Sequence, residues 1–477
     1  MKPTRNTILS SGAVLGVALL LIAAAGSNAT GADAAQASAP TAPASAPTNV
    51  AIVPPAGGGT TLPALSPSLP FDVTANPPFT LESLQTDFDV LSWQTFVAMN
   101  WPVLPNGQPN PAQRPGQNKD NATVWEMWRE SSTIFLPGGA TPAPWGSPLP
   151  PSSLLPPACR GLLKPGMHLL TQIGKTPGLL TEAVQPFNTG PLIDQNGRYA
   201  RFEILVNQSM FNTIFTGKLY NKQAQQSVTS VVFDCGDQTA KQVGAIMVKA
   251  AWKILSPAEI AGGRFHTVQA VIYTPPSTNP VIAEKCETAT VGLVGLHVVH
   301  KTKGAPQWVW STFEHVDNCP TNGEVADHPG YSFFNKNDPA APLNTPPPRP
   351  WNPTNTEPPA RRPQIERMIP IDAATRQLNA SWQAALRAVN PASVWQYYEL
   401  VSTQWPTAPA SGCDVATSAP ANMSGAPAPQ FLGNSTLESY IQGKVPNVSS
   451  SCIECHLNAT TTTHTFSDFT YLLERAQ

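Results

Sequence analysis

The chain has 477 residues and a formal net charge of −2, which leaves no electrostatic case for binding nucleic acid or an anionic membrane surface. Only 12% of the residues are charged, against about 25% in typical soluble domains. Proline occurs 53 times, which favours long ordered loops over a helical bundle. The apolar share of 41% still suffices for a sizeable core.

The chain opens with Lys2 and Arg5, then runs through apolar and small residues from Ile8 to Ala25. Gly26, Ser27, Asn28 and Ala29 follow, and Ser-Asn-Ala offers a cleavage site. This three-part pattern predicts a signal peptide over residues 1–29. The apolar run approaches the length of a short span, so an uncleaved anchor is the alternative and the one route to a membrane. Either way the bulk of the chain is expected in the periplasm or outside the cell, where thiols oxidise. There are seven cysteines, and Cys452 and Cys455 belong to a motif treated below. Cys159, Cys235, Cys286, Cys319 and Cys413 permit at most two bridges and one leftover thiol, with the pairing open.

Residues 30–70 are nearly all Ala, Pro, Ser, Thr and Gly, a composition that cannot offset the entropy of ordering, and read as a tether. A body over 71–338 begins with a helix, residues 80–100, on the spacing of Leu81, Leu84, Phe88 and Leu91. Trp93, Phe96, Trp101, Trp125 and Trp128 are core candidates. Strands are expected at Tyr199–Val206, Ser230–Phe233, Ala245–Leu255, Phe265–Tyr273, Thr290–Val299 and Trp308–Phe313. Ile246, Val248, Ala250, Trp252 and Ile254 share one face. The apolar stretch at 290–299 predicts a central strand buried on both faces. A Pro-rich strap spans 339–363. A helical segment over 364–406 follows, with Asp372 capping one helix and Pro391 opening a second that carries Val394, Trp395, Tyr398 and Val401. Residues 407–430 read as a linker and 431–477 as a separate tail. The fold class expected is α+β: a central antiparallel sheet, as a sandwich or open barrel, with flanking helices and the tail packed on it.

The tail holds Cys452-Ile453-Glu454-Cys455-His456, a C-x-x-C-H motif. Thiols three positions apart reach the two vinyl groups of haem, and the next residue supplies the proximal imidazole. A thioredoxin-like dithiol needs a βαβ context, and a zinc site needs more ligands nearby than His464. One covalent haem c on Cys452, Cys455 and His456 is therefore the expected cofactor. Only 21 residues follow His456 and none is Met, so the preceding body must cover the group. Met423, His297, His300, His315 and His464 are candidate sixth ligands of the iron, and an open position is the alternative.

A second constellation comprises Glu314, His315 and Asp317, closing a strand. Alternation pairs His315 with Asp317, either as a working dyad or as a hydrogen-bonded strand terminus, and the second reading is preferred because the spacing matches no recognised ligand set. GLHVVHKT (295–302), QWVWSTFEHVDN (307–318), SCIECH with Asp468-Phe469, and SWQTFVAMNWP (92–102) resemble a group of large exported bacterial proteins described as cytochrome c family proteins. The resemblance implies haem binding through Cys452, Cys455 and His456 and electron transfer to a redox partner protein. The expected function is an exported mono-haem electron-transfer protein. The alternatives are an oxidoreductase whose body binds a substrate, and a haem-based gas sensor or binding protein.

Overall fold

The computed structural model describes residues 64–117, 122–147, 157–171, 189–274, 276–278, 281–324, 326, 330–348, 362–407, 413, 426–443 and 450–477. The signal peptide, most of the tether, the middle of the strap and Met423 lie outside these residues. The described residues belong to the unit Thr48–Gln477. No helix among them is long and apolar enough to cross a membrane.

In chain order the strands are β1 (Arg129–Glu130), β2 (His168–Thr171), β3 (Arg201–Val206), β4 (Gly236–Asp237), β5 (Gln242–Val243), β6 (Ile246–Ile254), β7 (Thr267–Thr274), β8 (Ser277–Thr278), β9 (Val281–Ile282), β10 (Lys285–His300), β11 (Val309–His315), β12 (Tyr398–Pro406) and β13 (Pro427–Ala428). The α-helices are α1 (Leu81–Met99), α2 (Pro157–Arg160), α3 (Gln208–Thr216), α4 (Lys222–Gln225), α5 (Pro257–Gly262), α6 (Ala373–Val389) and α7 (Cys452–His456). One nine-stranded sheet runs β1-β3-β6-β10-β11-β12-β13, with β7 on β10 and β2 on β7. Every pair in it is antiparallel except β2 with β7, which is parallel. The α+β class and the large antiparallel sheet are as expected. The main sheet is open and not closed into a barrel; the only other ladders among the described residues, β4-β5 and β8-β9, have two strands each and are too small for the second layer of a sandwich, and helices pack on one face of the main sheet while the tail packs on the other.

The covering follows from alternation. Ile246, Val248, Ala250, Trp252 and Ile254 do share one face of β6, packed with Leu293, Leu296, Val298 and Phe313. Trp93 and Phe96 from α1 and Trp382 and Leu386 from α6 close this face. Helix α1 starts at a capping box between Thr80 and Ser83, and α6 at Asp372, whose carboxylate accepts from the Ala374 amide at 2.8 Å. Trp93 and Trp382 stack at 5.8 Å. On the opposite face, Val206, Met247, Val299 and Trp310 pack with Ile453, Phe469, Leu472 and Leu473 of the tail.

Two expectations fail on the chain's own chemistry. The second helix after Pro391 is a single 3-10 turn, Val394–Tyr397, and Tyr398 starts β12 instead. The run Tyr-Glu-Leu-Val-Ser-Thr-Gln-Trp is rich in strand-favouring residues and finds an open neighbour in β11. Ser230–Phe233 is extended but joins no sheet; the Phe233 amide donates to Asp468 of the tail.

Two disulfides join Cys159 to Cys286 and Cys235 to Cys413, and Cys319 is a buried thiol. Two bridges are compatible with an exported protein.

Candidate site at the C-x-x-C-H helix

The motif forms its own short helix, α7, on the face away from α1 and α6. Ser451 caps it, and Gln404 of β12 accepts the Ile453 amide through its side-chain oxygen at 2.9 Å. Gln404 is fully buried and its amide donates to the Pro429 carbonyl at 2.7 Å, so one side chain ties helix and loop to the sheet. Ile453 points into the core, while Cys452 and Cys455 keep partial exposure outside both disulfides. Burial pushes the Cys452 thiol well above its ordinary value, and Glu438 adds to the effect.

His456 is held on three sides. Its ring lies 4.5 Å from Trp310 and 5.2 Å from Tyr471, whose hydroxyl donates to the Cys455 carbonyl at 2.9 Å. Nδ1 lies 2.7 Å from the Phe469 carbonyl oxygen. A carbonyl only accepts, so Nδ1 carries the proton and Nε2 keeps its lone pair. Burial is the largest influence on the ring and lowers it to about 4, so the imidazole is neutral at pH 7.

The carbonyl is aimed by an unusual turn. Asp468 and Phe469 both adopt left-handed backbone conformations, with φ of 53° and 67°. Non-glycine residues rarely do so without outside support. Here Trp308 donates to the Asp468 carbonyl at 3.0 Å, the Phe233 amide donates to its carboxylate at 2.7 Å, and Lys301 forms a buried ion pair with that carboxylate.

A second arm of the tail, residues 434–442, lies across the same face nearby. Ser435 donates its amide and hydroxyl to Glu314, both at 2.6 Å, and Asn434 donates to Thr312 and to the Phe313 carbonyl. The arm approaches so closely that a Cβ on Gly295 would stand 2.1 Å from the Thr436 hydroxyl. Glu438 then accepts from His297 Nε2 at 2.9 Å.

The other sequence candidates are dispersed. Glu314 is completely buried and paired with Arg367 at 2.9 Å, which also binds Glu399. Asp317 is taken by Arg264 through two contacts of 2.6 Å. His315 lies 3.9 Å from Asp317, stacks on Phe265 at 4.1 Å, donates from Nε2 to the Arg264 carbonyl and accepts the Asp317 amide at Nδ1. Burial lowers it to about 4. These contacts fit the preferred reading, a hydrogen-bonded strand terminus, and leave the alternative of a working His315–Asp317 dyad without a free ring nitrogen. His300 is buried, pairs with Ile246 and Val309 at the far end of β10, and is likewise lowered by burial to about 4. His464 sits exposed on a turn. Of the three sheet histidines considered for the iron, His297 is the one hydrogen-bonded to a residue of the tail arms among the described residues, through Nε2 to Glu438.

Sequence reasoning missed a buried cluster on the helix-covered face. His168 Nδ1 binds Glu203 at 2.9 Å, and His266 Nε2 binds Glu126 at 2.9 Å. Trp252 donates to Glu203 and Thr123 to Glu126. Burial alone would depress His168, but Glu203 and then Glu126 outweigh it and raise the ring to about 9. Burial alone would raise Glu126, but His266 and His168 lower it to about 2. The four residues are 140 positions apart at the extremes and carry no shared motif, so no local signal announces them. Among the described residues no group of three or more His, Cys, Asp and Glu is placed to hold a metal ion. A hollow of about 350 Å³ is lined by residues that include Lys253, Glu259, Tyr331, Asn335 and Lys336. Lys253 is already engaged by Asp194 and Glu259 and the lining holds no Cys or His, so the chemistry stays with the C-x-x-C-H helix.

No family model, no curated protein and no solved structure matches this chain.

Proposed function

We propose that Cys452, Cys455 and His456 carry one covalent haem c and that the protein is an exported mono-haem electron-transfer protein. The observation that carries the reading is the His456 hydrogen bond to the Phe469 carbonyl. A metal-ligating histidine characteristically donates its second ring nitrogen to a carbonyl or carboxylate, which fixes the tautomer and strengthens the ligand. Here that arrangement belongs to the histidine of a C-x-x-C-H motif, beside two partly exposed thiols on the same turn of helix. The donor set fits the group: two thiols and one neutral imidazole with Nε2 available.

Each thiol adds across one vinyl C=C, forming one S–C and one C–H bond, with nothing released. When bound, the haem iron supplies a one-electron couple between ferric and ferrous forms. The chain's part is to hold the imidazole through Phe469, to shield one side with Trp310 and Tyr471, and to keep the thiols in register on α7. The electron comes from, and passes to, a redox partner protein outside the cytoplasm.

The test is haem content after denaturation. Wild-type protein unfolded in denaturant and run on a denaturing gel should keep its haem, and Cys452→Ala/Cys455→Ala should lose it. A wild-type protein that releases all its haem on unfolding would sink the reading.

A further inference from the structure

We propose that Lys249 pairs with a propionate of the haem, so that the strip of sheet between the two tail arms is the floor of the cofactor site; the inference rests on the haem reading above.

The strip is defined by register. Ile204, Lys249, His297 and Thr312 are successive cross-strand partners on β3, β6, β10 and β11, so their side chains share one face. The row on one side of the strip, with Met247, Val299 and Trp310, is covered by the arm that runs from Ile453 to Leu473. The row on the other side, with Gly295 and Glu314, is covered by residues 434–436. Lys249 and His297 lie between the arms and are only partly buried, His297 keeping 15% side-chain exposure.

One cation of this strip has no close counter-ion among the described residues. Glu438 is taken by His297. Lys253, four residues along β6 on the same face, has Asp194 and Glu259. Lys301 has Asp468. Lys249 forms no direct ion pair among the described residues: Glu438 attracts it only from beyond ion-pair distance, and its ammonium lies 5.5 Å over the Phe202 ring. A half-buried ammonium next to a site is an anchor for an anion. Trp310, two residues before Thr312 on β11 and so on the same face as the strip, stands 4.5 Å from the His456 ring, and its partner Val299 is two residues from His297. The strip therefore adjoins the motif on one face of the sheet. Haem c brings two carboxylates of its own, and Lys249 offers one of them a counter-ion. His297 is placed as a wall: Nε2 is occupied by Glu438, and the nitrogen that remains stands beside its own Cβ, a crowded position for binding a haem iron.

The test uses haem-loaded protein with Lys249→Met and Lys249→Arg, read by redox titration and by the propionate bending band in resonance Raman. Removing a nearby positive charge favours the ferric form, so Lys249→Met should lower the midpoint potential and shift the band. Lys249→Arg should return both towards wild type. Should Lys249→Met not fold, Lys249→Gln reads the same two quantities. A haem-loaded Lys249 variant with an unmoved propionate band overturns this proposal alone. A wild-type protein without covalent haem overturns the haem reading, and this proposal with it.

Discussion

Replacing Lys301 with Met removes the cation beneath the Asp468 turn while keeping most of the side chain's length. The Lys301 and Asp468 side chains are only 3% and 8% exposed. Removing one partner of a buried pair costs about 3–5 kcal/mol, chiefly because the other charge stays buried without compensation. The Phe233 amide still donates to Asp468, so the remaining carboxylate keeps one hydrogen bond. For a unit of roughly 400 residues, the unfolding entropy is about 0.8 kcal/mol/K near the midpoint, and Tm should fall by about 4–6 °C. The double variant Lys301→Met/Asp468→Asn removes the stranded charge and keeps an oxygen for Phe233. It should recover about half of the loss. Thermal unfolding followed by circular dichroism on all four members of the cycle reads both numbers. A single-variant shift under about 1 °C, or a double variant no better than the single, would refute the claim that this ion pair supports the turn.

His315→Gln should lower stability by about 2 kcal/mol, through the lost stacking on Phe265 and the disturbed Arg264 and Asp317 hydrogen bonds. The haem absorption should not move; denaturant unfolding with a parallel spectrum checks this, and a shifted spectrum in a stably folded variant would restore the active dyad. The His168 cluster predicts a pH dependence. The ring is raised in the folded state to about 9 from an ordinary 6.5, so its contribution is complete below pH 6.5 and fades as pH rises towards 9. Glu126, lowered to about 2 from 4.5, contributes above pH 4.5 and fades as pH falls towards 2. Unfolding free energies measured from pH 6 to 9 should decline, and His168→Gln should flatten that decline; an equal slope in both proteins would contradict the assignment.

The parts of the fold that alternate over many residues were legible. Strand β6 shows its face directly, because a period of two cannot be mistaken over nine residues, and β10 was legible instead as an apolar run too continuous for a strand with a wet face. Strand β12 was not, since Val394, Trp395, Tyr398 and Val401 suit a helix as well as a turn leading into a strand, and the open edge of β11 decided between them. Parallel β2 is four residues long and leaves no periodicity to read. In the candidate site, the spacing of Cys452, Cys455 and His456 could be read from the letters. The acceptor for His456 could not, because it is a backbone oxygen placed by two left-handed residues. Asp468-Phe469 stood out only through resemblance, and its partners Lys301, Trp308 and Phe233 come from strands and loops more than 150 residues earlier.

The way the sheet ends has a bearing on self-association. Its main path stops at β1 and β13, each two residues long, and its branch stops at β2, four residues long. A strand of two residues exposes too few unpaired amides and carbonyls to template another chain. The apolar strands β6 and β11 have neighbours on both sides, and so does β10 over its apolar half from Val291 to His300. Along β12, which β13 pairs only at Trp405 and Pro406, the Tyr398, Leu400 and Thr403 carbonyls are already taken by the side chains of Gln383, Asn379 and Gln85, so a second molecule meets short stubs and occupied acceptors rather than a free ladder.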